Sequence, residues 1–160
     1  MNAAKHAIKF FSMRDGYRGL LIESFLYLAW ARFLIALPFT KVAPSLGSPM
    51  EETPHEPGTA DRNELKKISA ALHMVSRHTL WSSKCLVRAI AGMKMLERRR
   101  IESTLYLGTA KDKNGEMIAH AWLRSGTFYL TGAEEMRKFT VVGKFAKSIN
   151  HEGLEGWNDG

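Results

Sequence analysis

A chain of 160 residues with one cysteine, Cys85, can form no internal disulfide, and it contains no Cys-x-x-Cys pair to hold a structural zinc. Both absences favour a reducing compartment, and neither a metal nor a cofactor is expected. The first eighteen residues lack the short apolar core and small-residue cleavage site of a secretory signal, so the cytoplasm is the expected location. Uninterrupted apolar runs are scarce as well. The longest candidate, 19–39, contains Glu23 and Arg32. Each would cost about 2.5–3.5 kcal/mol at the centre of a membrane span. A mostly buried helix ended by Pro38 is therefore expected, with membrane contact only if no partner covers its apolar sides. No helix-turn-helix, zinc-finger or aromatic RNA-binding signature accompanies the net charge of +7, so no nucleic-acid partner is expected.

What is present is an ordinary globular composition, 45% hydrophobic and 24% charged, in a length that closes one core. A helical N-terminal extension is expected over 1–42 and a Pro/Gly-rich linker over 43–60, where Pro44, Pro49, Pro54 and Pro57 interrupt any apolar period. A core over 61–149 and a flexible tail over 150–160 follow. Asp61 and Glu64 resemble a capping box, and Leu65, Ile68, Leu72 and Val75 fall on one helical face. The next helix, from Leu86 to Arg100, has Ser82 or Ser83 as its expected cap. It carries Leu86, Val87, Ile90, Met93 and Leu96 as its apolar stripe and ends in three arginines, read as a solvated helix end or a docking strip for acidic groups. The period then changes to two: 103–110, 116–124, 127–131 and 139–145 read as an antiparallel meander. Helices followed by strands make an α+β fold.

Cys85 is the residue that the pattern singles out. A thiol at a helix N-terminus has its thiolate favoured by the macrodipole and the unpaired first-turn N–H groups. Thirty-five residues on comes Ala119-His120-Ala121-Trp122. Strand alternation sets Ile118, His120 and Trp122 on one face and Ala119, Ala121 and Leu123 on the other. A cysteine opening a helix and a histidine on a following strand suit nucleophile and base, with the Cys85 N–H as oxyanion donor and Trp81 as pocket wall. Equally, the cysteine is a small buried hydrophobe and the histidine a structural one. His73 and His78 miss the i, i+4 metal spacing, and His6, His55 and His151 fall in expected termini or linker.

The run Leu80-Trp81-Ser82-Ser83-Lys84-Cys85-Leu86, the helix end Leu96-Glu97-Arg98-Arg99-Arg100, the strand Leu105-Tyr106-Leu107-Gly108 and Ala119-His120-Ala121-Trp122-Leu123 together resemble the B2-type leader peptidases of lasso-peptide biosynthesis. The likeness extends to Leu28-Ala29-Trp30-Ala31-Arg32. It implies a transglutaminase-like cysteine-protease fold, Cys85 as nucleophile and His120 as general base and acid. It implies further that the substrate is a ribosomally made precursor whose leader is removed. The partners it implies are a separate leader-binding protein and an ATP-dependent ring-closing enzyme. An orienting aspartate about a dozen residues after the histidine is also implied, but the corresponding stretch, Tyr129 to Glu135, contains none. Glu134, Thr131 or a main-chain carbonyl are the substitutes available. A non-catalytic precursor-binding scaffold of the same fold is the rival expectation, and transglutamination would use the same dyad.

Overall fold

The computed structural model describes residues 15–58, 60–78 and 85–149. Trp81, Ser82, Ser83, His6, His151 and the expected tail over 150–160 lie outside the described residues. The first helix, α1 (Asp15–Leu34), buries Leu21, Ser24, Leu28 and Ala31, a stripe at steps of three and four. It stops four residues before Pro38. Its opposite face leaves Ile22, Phe25, Leu26 and Phe33 exposed. A short helix α2 (Phe39–Val42) and a 3-10 turn (Ala43–Leu46) then sink Val42 and Leu46 into the core.

The stretch expected to be a linker packs against the sheet. At Gly47, φ is +112° and a Cβ would fall 2.2 Å from the Ala146 carbonyl oxygen, so only glycine permits this approach. Strand β1 (Ser48–Pro49) follows, and Met50 N–H donates to Lys144 O at 2.7 Å. Thr53 is buried, with its N–H donating to Thr104 Oγ1 at 2.9 Å. Prolines and glycines here shape a fitted strap, because side chains from the sheet supply the donors and acceptors that regular structure would have supplied.

Helix α3 (Arg62–His78) starts after Asp61, whose Oδ1 accepts from Asn63 N–H at 2.9 Å. Glu64 does not complete a capping box but lies 3.5 Å from Arg99 Nε. Leu65, Ile68, Ala71 and Leu72 face the core. Helix α4 (Cys85–Arg98) has eight buried residues among fourteen and fits closely at Gly92, where a Cβ would meet Leu123 at 2.8 Å and Leu72 at 3.1 Å.

The sheet is antiparallel in the order β1-β5-β2-β3-β4, built from β2 (Ser103–Lys111), β3 (Met117–Ser125), β4 (Phe128–Thr131) and β5 (Thr140–Lys147) as well as β1. The architecture is α+β. It departs from a meander in that β5 returns to pair with β2, on the far side from β4. β4 is short and pairs only with Leu123 to Ser125, so among the described residues the outer edge of β3 has no strand partner from Met117 to Trp122. The connection over 132–139, with a 3-10 turn (Met136–Lys138), crosses from one side of the sheet to the other.

Candidate active site

Cys85 is the first residue of α4, half-buried and packed against the core. Helix α4 covers the sheet face that carries Ala121 and Leu123, since Gly92 abuts Leu123. A short turn reverses the chain from α4 into β2, and β2 is antiparallel to β3, so α4 and β3 run the same way. Stepping back from Gly92 to Cys85 covers about 10 Å of helix. Stepping back from Leu123 to His120 covers about 10 Å of strand. By this spacing the start of α4 is expected near the level of His120 along β3, on the opposite face of the sheet from its ring.

The His120 ring occupies the other face and is nearly closed in, with 9% of the residue exposed. The topology builds its surroundings. The crossing connection brings Gly132 O to 2.8 Å from His120 Nε2 and sets the Phe139 ring 5.0 Å from the imidazole, while Trp122 flanks it at 5.8 Å. Gly108 pairs with His120 across β2 and β3. A Cβ there would fall 2.8 Å from Phe139 Cβ and 2.9 Å from the Trp122 indole, so the missing side chain is the space those rings fill. Because a carbonyl only accepts, this hydrogen bond requires a proton on Nε2, and in the neutral ring the lone pair is then on Nδ1. Among the described residues Nδ1 makes no hydrogen bond, and it is not among the sealed, unpaired polar atoms.

The face continues into a polar network. Trp122 stacks on Tyr106 at 5.5 Å. Tyr106 donates to Glu52 Oε1 at 2.5 Å and accepts from Arg124 Nε at 2.9 Å. Arg124 is fully buried and spends its remaining donors on main-chain oxygens of Pro54, Gly126 and Thr53, and more weakly on Thr104 Oγ1. Burial, followed by the Glu52 hydrogen bond, pushes the Tyr106 hydroxyl up to about 12. Glu52 is held below the usual carboxylate range, chiefly by the Tyr106 hydrogen bond.

The residues singled out from sequence are therefore distributed as follows. Cys85 opens the helix on one face of the sheet and the His120 ring lies on the other, and no hydrogen bond joins Sγ to the imidazole among the described residues. Glu134 is exposed in the turn after β4 and makes no hydrogen bond to the ring. Thr131 is buried with its Oγ1 unpaired, and does not reach the ring either. His73 lends its carbonyl to Ser76, and His55 lies 3.6 Å from Glu52 on the surface. No cluster of metal-ligating side chains occurs among the described residues. Gly108, Gly132, Phe139 and Arg124 were not read from the sequence as site residues. A glycine within a strand pattern is the one signal that pointed to a close approach at Gly108.

Searches of the curated proteins and of the solved structures returned no match. The family model of the transglutaminase-like superfamily matches residues 28–144, a span that takes in α4 with its opening cysteine, the strand of His120 and the strap across the sheet. A cysteine-led helix laid on an antiparallel sheet whose fourth strand in spatial order carries the histidine is thus found in a chain that belongs to the transglutaminase-like superfamily.

Proposed function

We propose that this protein is a cysteine peptidase that removes the leader from a ribosomally made lasso-peptide precursor. Membership of the superfamily supports cysteine acyl-transfer chemistry, and the resemblance of the Cys85 and His120 blocks supports the precursor as substrate. The observation that carries the reading is the nearly closed-in His120 ring, held through Nε2 by Gly132 O, in a chain whose α4 opens with Cys85.

In this mechanism Nδ1 takes the thiol proton as Sγ bonds to the scissile carbonyl carbon, and the main-chain N–H groups at the start of α4 steady the oxyanion. The imidazolium then protonates the leaving amine, the C–N bond breaks and a thioester remains. Water, losing a proton to Nδ1, attacks the thioester, and the carboxylic product leaves as the thiol is regenerated. Sγ must come within hydrogen-bond reach of Nδ1. Because α4 lies on the face opposite the ring, that reach requires the start of α4 to close around the edge of β3 when precursor binds. A separate leader-binding protein and an ATP-dependent ring-closing enzyme are the partners in this reading, and the cytoplasm its location. No helix among the described residues is long and apolar enough to cross a membrane.

The absent Sγ–imidazole hydrogen bond favours the scaffold reading, in which the precursor is bound but not cut. Incubating precursor and leader-binding protein with wild type, Cys85→Ala and His120→Ala, and weighing the products by mass spectrometry, separates the two. Leader release is expected from wild type, none from Cys85→Ala, and a rate lower by about 10²-fold or more from His120→Ala. Cleavage by Cys85→Ala at the wild-type rate would end the peptidase reading.

A further inference from the structure

We infer that the Gly132 main-chain carbonyl is the group that orients His120, in place of an acidic side chain, and that residue 132 is glycine because only glycine brings that carbonyl to the ring. The inference rests on the reading in which His120 is the base, and it supplies the third member that the sequence left open.

Three observations carry it. The carbonyl oxygen lies 2.8 Å from Nε2, a full hydrogen bond, and among the described residues no carboxylate bonds to the ring. At Gly132 φ is +74°, and a Cβ would stand 2.6 Å from Ala121 O, 2.8 Å from Trp122 Cβ and 3.0 Å from His120 Nε2. A side chain there is opposed both by the left-handed backbone and by two main-chain or Cβ atoms that cannot swing aside. The two side chains available for the role are otherwise placed, Glu134 in solvent and Thr131 buried with an unpaired hydroxyl.

The chemistry differs from that of a carboxylate. A carbonyl selects the Nε2–H tautomer and aims the ring, as an aspartate would, but adds no negative charge beside the imidazolium that forms during turnover. It also cannot be protonated away, so orientation of the ring persists in acid where a carboxylate would let go. Gly132 is thus a positioning residue, acting through its main chain.

Imidazole ¹⁵N NMR of histidine-labelled protein at about pH 8, where an unperturbed ring is neutral, reads the tautomer directly. The His120→Gln variant identifies its signals among the six histidines. The expected result is a single Nε2–H tautomer in wild type, unchanged in Glu134→Gln. In Gly132→Ala a mixture of tautomers is expected, with kcat for leader release lower by about 10²-fold and KM little changed. An Nδ1–H tautomer or an even mixture in wild type would overturn the inference, as would loss of the signature in Glu134→Gln. The wild-type spectrum decides even if Gly132→Ala does not fold. Cleavage that needs Cys85 and His120, together with an Nδ1–H ring, would overturn the inference and leave the peptidase standing. An Nε2–H ring in a protein that cuts nothing would support the hydrogen bond and remove the peptidase.

Discussion

Arg124 holds more of the molecule together than any other polar side chain described. It is a buried cation whose partners are carbonyls and hydroxyls, drawing the strap at Thr53 and Pro54 onto the sheet. Arg124→Met would leave those acceptors without donors, and a loss of at least about 3 kcal/mol is expected from urea unfolding. Tyr106 and Glu52 tie the same network to pH, in opposite directions. The folded state holds the Tyr106 proton up to about 12, above the ordinary value of 10.0, so its stabilisation is complete below pH 10 and lost as pH climbs toward 12. Glu52, depressed below 4.5, stabilises above that pH and ceases to as acid protonates it in the fold. Thermal midpoints across pH should therefore fall at both ends, with Tyr106→Phe flattening the alkaline limb and Glu52→Gln the acid one. None of this was legible in the sequence. An arginine next to a turn in an alternating strand reads as solvated, since arginine is rarely buried, and three of its five partners here are main-chain oxygens that every residue possesses. Cys85 and His120 stood out because their neighbours, a helix start and small alanines, narrow what such residues can do.

Between elements, two features that looked unrelated in the sequence turn out to be partners. Glu23 interrupts the apolar run of α1, and Arg99 belongs to the basic run ending α4. Their side chains meet in a two-pronged pair with both N···O distances 2.7 Å. The basic run is thus divided, with Arg98 exposed and Arg99 clamped. Bidentate, partly buried pairs of this kind are among the stronger ones, and Glu23→Gln is expected to cost about 1–3 kcal/mol in thermal unfolding. Arg99→Lys would restore charge but not the second prong. The helical and strand periods were readable because burial imposes them on side chains at every third or fourth, or every second, position. The strap was not, since proline and glycine announce only the lack of a regular period, and packing by main-chain hydrogen bonds leaves no pattern in side-chain type.

Across the whole molecule, the strap and the crossing connection close the sheet face that bears His120, so the site depends on segments far apart in sequence. Native-state hydrogen exchange offers a check. The Met50 and Thr53 amides, bonded to Lys144 O and Thr104 Oγ1, are expected to exchange as slowly as core strands, whereas a mobile linker would exchange them within seconds.

The returning strand has a further bearing on the birth of the protein. As the chain leaves the ribosome, Cys85 and His120 emerge well before Thr140–Lys147, and until that strand arrives β1 has nothing to pair with and β2 lacks one neighbour. Phe139, which walls the imidazole, comes out only just ahead of it. In a chain that assembles in this order, the pocket around His120 is finished only when nearly the whole sheet can close at once.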